Sequence, residues 1–252
     1  VKKDPELVCV VHGDDFATVG DDEALDHLDE VLQGSITIKR LGRVGPGGAR
    51  SGLYLKRCIE WRGDRFVYYA NPKHSQDIVK ILGLEDAKGQ ETPGSKATGA
   101  SVAEESKPLF ESEGRLVASA IGSVLYLALD RPEIQYAAEC LAADLRQTTE
   151  LTLVRTERLA RFLLEVPCTE RHYIIQAESE AGMLSGYSDS DWAADVAANW
   201  STSGHCTFHG KHLEDASSAR RHNIAVSSGE AEFYAGGRVC ATVLMLVHTI
   251  KK

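Results

Sequence analysis

Asp14 and Asp15 stand side by side between two short apolar runs, residues 7–11 and 16–19. Two such runs joined by a tight polar turn predict a β-hairpin. Two carboxylates on one turn reach the same divalent cation while the strands hold them still. Mg²⁺ prefers hard oxygen ligands and usually takes only one or two from protein. A pair of such ions clamps the attacking and leaving oxygens of a phosphoryl transfer. A bare Asp-Asp pair is also an ordinary solvated turn, so the pair by itself does not fix a function.

Other residue groups carry weaker signals. His205, Cys206, His209 and His212 lie close together, and zinc would need four tetrahedral ligands. In a strand, residues 205 and 209 share a face and Cys206 points to the other. No second cluster completes a set, so these read as strand and turn residues. Arg155, Arg158 and Arg161 recur at spacings of three, on one flank of a predicted helix and opposite Leu159, Phe162 and Leu163. They could track a nucleic-acid backbone, although Glu157 and Glu165 dilute the charge as on a solvated helix face. Arg220, Arg221 and His222 sit just before the final predicted helix, better placed near a phosphate. Trp61, Tyr68 and Tyr69 could stack on bases or pack across strands.

An ordered series of longer blocks is more specific than any of these. VCVVHGDDFATVG resembles the active-site hairpin of reverse transcriptases, whose pattern is aromatic-x-Asp-Asp; here His12 takes the aromatic place. Downstream, YLKRCIEW, ANPKHSQDIVKILGLE and TPGSK resemble the end of the copia-type retrotransposon polymerase. LVASAIGSVLYLALDRPEIQYAAECLA and ERLARFLLEVP resemble the stretch joining polymerase to RNase H. GYSDSDWAAD, STSGHCTFHG and SSGEAEFYAG resemble the start of the copia-type RNase H domain. The resemblance covers nearly the whole chain and identifies it as similar to a copia-type Pol polyprotein.

The resemblance implies roles for named residues. Asp14 and Asp15 would be polymerase metal ligands, and Asp189 and Glu232 the strand and helix carboxylates of an RNase H. Asp191 and Glu230 compete for the latter two places. The implied cofactor is Mg²⁺, and the implied partner an RNA/DNA template-primer duplex, with the other parts of the polyprotein. In the family a further polymerase Asp lies upstream of the hairpin and further RNase H acids lie downstream of the helix. This chain has no upstream counterpart, and no Asp or Glu follows Glu232. Each centre would own part of its ligand shell, and the chain alone would not polymerise.

The bulk properties set the frame. The 252 residues are 43% hydrophobic and 26% charged, as in an ordinary globular protein with a real core. Residues 1–33 carry ten acids and two bases, a net of −8; residues 34–73 carry nine bases and two acids, a net of +7. That asymmetry suits a metal site beside a phosphate-binding surface, or two solvated faces of opposite sign. Six scattered cysteines without a C-x-x-C pair predict reduced, mostly buried thiols. No apolar run reads as a membrane span and no signal peptide is apparent, so a cytoplasmic or nuclear protein is expected, not a secreted one. The first Met is Met183, which reads as a cut inside a longer protein.

Element signals order the chain. A helix is predicted after Asp21 and Asp22, ending at Gly34. Strands are predicted over 36–41, 53–61 and 66–69, and a helix after Asn71-Pro72 that stops at Gly83. Residues 86–113 read as a linker. Helices follow over 116–129, 132–146 and 151–166. Hairpins are predicted from 173–177 with 183–187 and from 205–209 with 213–217. A final helix runs from about 228 to 250, capped by Ser227 or Ser228. The expected fold is α+β: a reverse-transcriptase palm remnant with thumb and connection helices, then an incomplete RNase H-like α/β domain. The expected divisions are 1–85, the linker 86–113, 114–172 and 173–252. Three functions compete: a polymerase/RNase H fragment, a catalytically dead nucleic-acid-binding or scaffolding remnant, and an unrelated Mg²⁺-dependent hydrolase.

Overall fold

The structure is a computed structural model describing residues 7–94, 106–195, 200–221 and 223–250. The chain forms two compact units, one up to Tyr68 and one from Tyr69.

The first unit opens on the hairpin. β1 (Leu7–His12) and β2 (Asp15–Gly20) pair antiparallel, with His12 opposite Asp15. Gly13 takes the left-handed conformation (φ 62°) at the first central position of the two-residue turn, where a side chain would be strained. Both faces are apolar and exposed: Val8, Val10 and Val19 on one, Leu7, Val11 and Phe16 on the other. Helix α1 (Asp22–Ser35) follows. β3 (Ser51–Tyr54), β4 (Arg57–Trp61) and β5 (Arg65–Ala70) then lie side by side in that order.

Two expectations fail here. Residues 36–41 form no strand despite their β-branched composition. The chain instead runs back along α1, where Arg43 pairs with Asp22 (3.1 Å) and Asp26 (2.6 Å) and Arg40 with Asp29 (3.4 Å). The acidic and basic segments thus partly neutralise each other inside this unit. The single strand expected over 53–61 is a hairpin, because Leu55 (φ 48°) and Lys56 (φ 63°) turn the chain. Neither is a Gly or Asn, so the turn carries no composition signal.

In the second unit, α2 (Lys73–Ile81), α3 (Glu111–Ala128), α4 (Gln135–Asp144) and α5 (Glu150–Glu165) bury one core. Ile78, Ile121, Val124, Leu127, Leu159 and Leu163 lie at its centre. The helix expected over 132–146 begins as a 3₁₀ turn, Pro132–Ile134. Arg131 is buried there. It donates to Glu133 (2.5 Å) and to the Val166 carbonyl (3.0 Å), tying the end of α3 to the end of α5. Of the expected linker, 95–105 lie outside the described residues. Its flanks lie on α5: the Gln90 amide donates to the Arg161 carbonyl and the Leu151 amide to Ser106.

β6 (Arg171–Ile174) and the short α6 (Glu178–Ala181) lead to a three-stranded antiparallel sheet. Its order is β7 (Leu184–Asp195), β8 (Trp200–His209), β9 (His212–Arg220). β6 does not pair with β7, so the hairpin expected from 173–187 is not formed; α6 separates the two strands and β7 takes β8 instead. On one face the buried row Ser201, Ser203, His205 and Thr207 lies under the last helix, α7 (Ser228–Ile250). By length and composition α7 is long and apolar enough to cross a membrane. That corrects the expectation of no such segment; Gly236, Gly237 and Arg238 interrupt its apolar run in the sequence. Its Ala231, Ala235 and Val239 are buried. The thiols are free, with Cys9 and Cys240 exposed and the other four half-buried, which corrects the expectation of mostly buried ones.

α7 comes close to β7 because Gly186 has no side chain. A Cβ there would stand 2.6 Å from Cγ2 of Val239 and 3.0 Å from Cγ2 of Val243. Gly186→Ala is expected to cost about 1–3 kcal/mol by overpacking. Adding Val239→Ala should restore most of the loss. Urea denaturation of the single and double variants measures both.

Candidate metal-binding carboxylates

Asp14 and Asp15 belong to the first unit. Asp14 is the second turn residue and Asp15 the first of β2, and both are exposed. The hairpin presents the pair at its tip, as its sequence pattern requires.

Asp189, Asp191, Glu230 and Glu232 belong to the second unit. β7 is an edge strand, paired only with β8. Asp189 lies opposite Gly204 and Asp191 opposite Thr202, both acids exposed. Gly186 faces α7, and strand residues alternate, so Asp189 and Asp191 project from the other face. The next amide settles how the helix meets the strand. The Ser190 N–H donates to Glu232 Oε1 (3.2 Å). That N–H therefore points out of the open edge rather than into the ladder, and the Glu232 carboxylate lies beside the peptide unit that follows Asp189.

Glu230 has a different job. Its Oε2 accepts from the Val226 amide (2.7 Å) and its Oε1 from the Tyr234 hydroxyl (2.8 Å). Its own amide donates to Ser227 Oγ (3.2 Å), so Ser227 caps the start of α7 while the Glu230 carboxylate takes the amide one residue before that cap. The Val226 amide, and after it the Tyr234 hydroxyl, hold the Glu230 carboxyl below its ordinary value. Of the two glutamates, Glu232 is the one that reaches the β7 edge, at the Ser190 amide, while the Asp189 side chain projects from the opposite face. Trp192 adds a further tie, its Nε1–H donating to the Ala225 carbonyl (2.9 Å) ahead of the helix. Sequence reasoning passed over Ser190, Trp192 and Tyr234. The i,i+4 spacing of Glu230 and Tyr234 and the Ser-x-x-Glu at 227–230 were available signals.

Oxygen donors such as Asp189 and Glu232 suit Mg²⁺ in kind. Among the described residues no group of three or more His, Cys, Asp or Glu side chains is placed to hold a metal. His205 is buried and shares its Nε2 between Asp215 (2.9 Å) and Thr242 (3.4 Å). His212 Nδ1 meets Gln176 Nε2 (3.0 Å), and His209 meets the Ala181 carbonyl.

The arginines are spread over several tasks. Arg155 pairs with Asp144 (3.0 Å), Arg158 donates to Thr92 (2.7 Å), and Arg161 lies 3.6 Å from Glu157. Arg220 and Arg146 each stand over the Trp200 ring, 5.9 Å from its centroid. Arg221 turns inward. His222 lies outside the described residues. Trp61 packs on Phe66 with ring centroids 4.9 Å apart.

Comparisons with known proteins bear on this arrangement. The chain is 29% identical over 167 residues to the retrovirus-related Pol polyprotein from transposon RE1 of Arabidopsis thaliana, covering 66% of this chain and 11% of that protein. It is 26% identical over 229 residues to the corresponding polyprotein from transposon RE2 of the same plant, covering 90% of this chain and 15% of that protein. It is 30% identical over 169 residues to an uncharacterised mitochondrial protein of Arabidopsis thaliana, covering 67% of this chain and 68% of that one. The chain thus spans only a small part of the two polyproteins. No protein-family model matches it, and no solved structure does.

The Glu230 contacts have a pH signature. A carboxyl held below its unfolded value of about 4.5 contributes stability above that pH and loses it as pH falls through the folded value. Glu230→Gln should therefore lower the melting temperature at pH 7. The gap from the parent should close as pH falls below that unfolded value and through the lower folded one. Thermal melts across pH measure it.

Proposed function

This chain belongs to the family of retrovirus-related Pol polyproteins of transposons, and we propose that it is a fragment of an RNA-directed DNA polymerase joined to an RNase H, with neither metal centre complete by itself. In this reading the β1–β2 hairpin is the polymerase's carboxylate turn. The helices around Leu159 and Ile121 are the thumb and connection. The β7–β9 sheet with α7 is the opening part of a copia-type RNase H fold. The observation that carries the reading is the Glu232 carboxylate on the Ser190 amide, next to Asp189. The chemistry is phosphodiester hydrolysis, for which Mg²⁺ would supply charge stabilisation and an activated water. Asp189 and Glu232 would hold that ion at the open edge of β7. Asp14 and Asp15 would be the corresponding pair for nucleotide transfer. Two carboxylates leave a loosely held ion, so activity would need acids from elsewhere in the polyprotein. The partner is an RNA/DNA template-primer duplex.

A second reading is favoured by one observation, the cationic groups of Arg146 and Arg220 over the Trp200 ring. In that reading the chain keeps nucleic-acid binding without catalysis, through guanidinium–phosphate contacts.

Isothermal titration with Mn²⁺ or Mg²⁺ tests the first reading. Weak millimolar binding that Asp189→Asn reduces at least several-fold is expected; no binding, or binding indifferent to Asp189→Asn, contradicts it. Primer extension by the purified chain should be absent. Filter binding of an RNA/DNA duplex over a salt series tests the second. Affinity should fall steeply with salt where several phosphates are neutralised, and a flat or absent response ends that reading.

A further inference from the structure

Arg221 was a phosphate-contact candidate by sequence, yet its guanidinium is engaged inside the fold. Its backbone amide extends the β8–β9 pairing by donating to the Ser201 carbonyl (2.8 Å). Its Nε donates to Oγ of Ser203 (2.6 Å), a residue with 1% of its surface exposed. Its Nη2 donates to the Tyr234 carbonyl in the second turn of α7 (2.7 Å), and its guanidinium carbon stands 5.3 Å from the centre of the Tyr234 ring. The planar fork of an arginine can make those contacts at once, where an ammonium on a flexible stem reaches one. Burial is the first cause of the lowered basicity of this group, and the nearby Arg238 is the second.

The place of these contacts gives them meaning. Ser203 pairs across the sheet with Ser190, the residue whose amide donates to Glu232. These two ties of α7 therefore lie on one rung of the sheet. Arg221 fastens the helix from the β8 side, and Glu232 meets the strand on the β7 side. Residues 232 and 234 are two positions apart on a helix and so point to different sides of it. The helix straddles the rung, and a rotation that freed Tyr234 would lift Glu232 from the edge.

We propose that Arg221 is a positioning residue that sets the Glu232 carboxylate against the β7 edge beside Asp189, through Ser203 and Tyr234. This rests on the proposed role of Asp189 and Glu232 for its use, although the geometry itself does not need a metal. The guanidinium is the wedge and clamp; the carboxylate is the group it places.

Amide hydrogen exchange of the whole chain, free of metal, tests this at Ser190. Glu232→Ala gives the exchange rate of an unclamped edge. Arg221→Met should raise the Ser190 rate roughly tenfold towards that limit, as loss of one buried hydrogen-bonded anchor would. The far end of the β8–β9 hairpin near Phe208 should keep its protection. Arg221→Lys, which can still reach one acceptor, should restore part of it. If Arg221→Met does not fold, Ser203→Ala removes the Nε contact alone and should raise the Ser190 rate about threefold. Unchanged Ser190 protection in the folded variant, or equal loosening at Phe208, would overturn the proposal. Because the exchange is read without metal, it is independent of whether Mn²⁺ binds: absent Mn²⁺ binding with the predicted exchange pattern would defeat the proposed function and leave the positioning role standing.

Discussion

The second unit turns on how closely α7 can approach β7. Gly186 supplies the room, since any Cβ would run into Val239 and Val243. With the helix that close, a carboxylate four heavy atoms long reaches the edge of the strand, and the Ser190 amide receives it. Trp192, Arg221 and Glu230 then hold the start of the helix from three directions. Remove the close approach and Glu232 becomes one more exposed acid on a helix.

An edge strand leaves a row of backbone groups without a ladder partner. Glu232 satisfies one of them in β7 with a charged oxygen. The same oxygen is the one a cation would want, so the edge amide and a metal ion compete for it. This competition, together with a two-carboxylate donor set, means that any ion at the proposed site would be held weakly. The first unit shows a related exposure. A two-stranded hairpin is marginal by itself in water, and β1–β2 exposes valines on one face and Leu7, Val11 and Phe16 on the other. Continuous apolar runs of that kind suit a strand covered on both faces.

Much of the element order was legible because the signals were local. The β1–β2 turn has its Gly13, α2 its Asn71-Pro72 start and Gly83 stop, and α5 its apolar face of Leu159, Phe162 and Leu163. The misreadings share a cause, which is tertiary override of local preference. Ile36 and Ile38 look like strand residues, but Arg40 and Arg43 draw that segment along the acids of α1. Leu55 and Lys56 adopt a left-handed turn without the residues that announce one. Proximity in sequence suggests pairing β6 with β7, but it says nothing of the sheet each joins.

The candidate site was legible in part. The order of blocks pointed to Asp189 and to a glutamate at 230 or 232, and the choice between them needed the helix cap. The Ser227–Glu230 spacing carried that information, since a residue committed to closing a helix start is turned from the strand. The role of Arg221 was not legible, because whether an arginine faces solvent or the helix depends on a rung of the sheet set by Ser190 and Ser203. The central claim, that Asp189 and Glu232 form a cation site at the β7 edge, is most directly tested by anomalous diffraction from Mn²⁺-soaked crystals. The account predicts a Mn²⁺ peak in coordination contact with both carboxylates and Glu232 released from the Ser190 amide. An empty edge with Glu232 still on that amide, at Mn²⁺ concentrations well above the millimolar range, would contradict it.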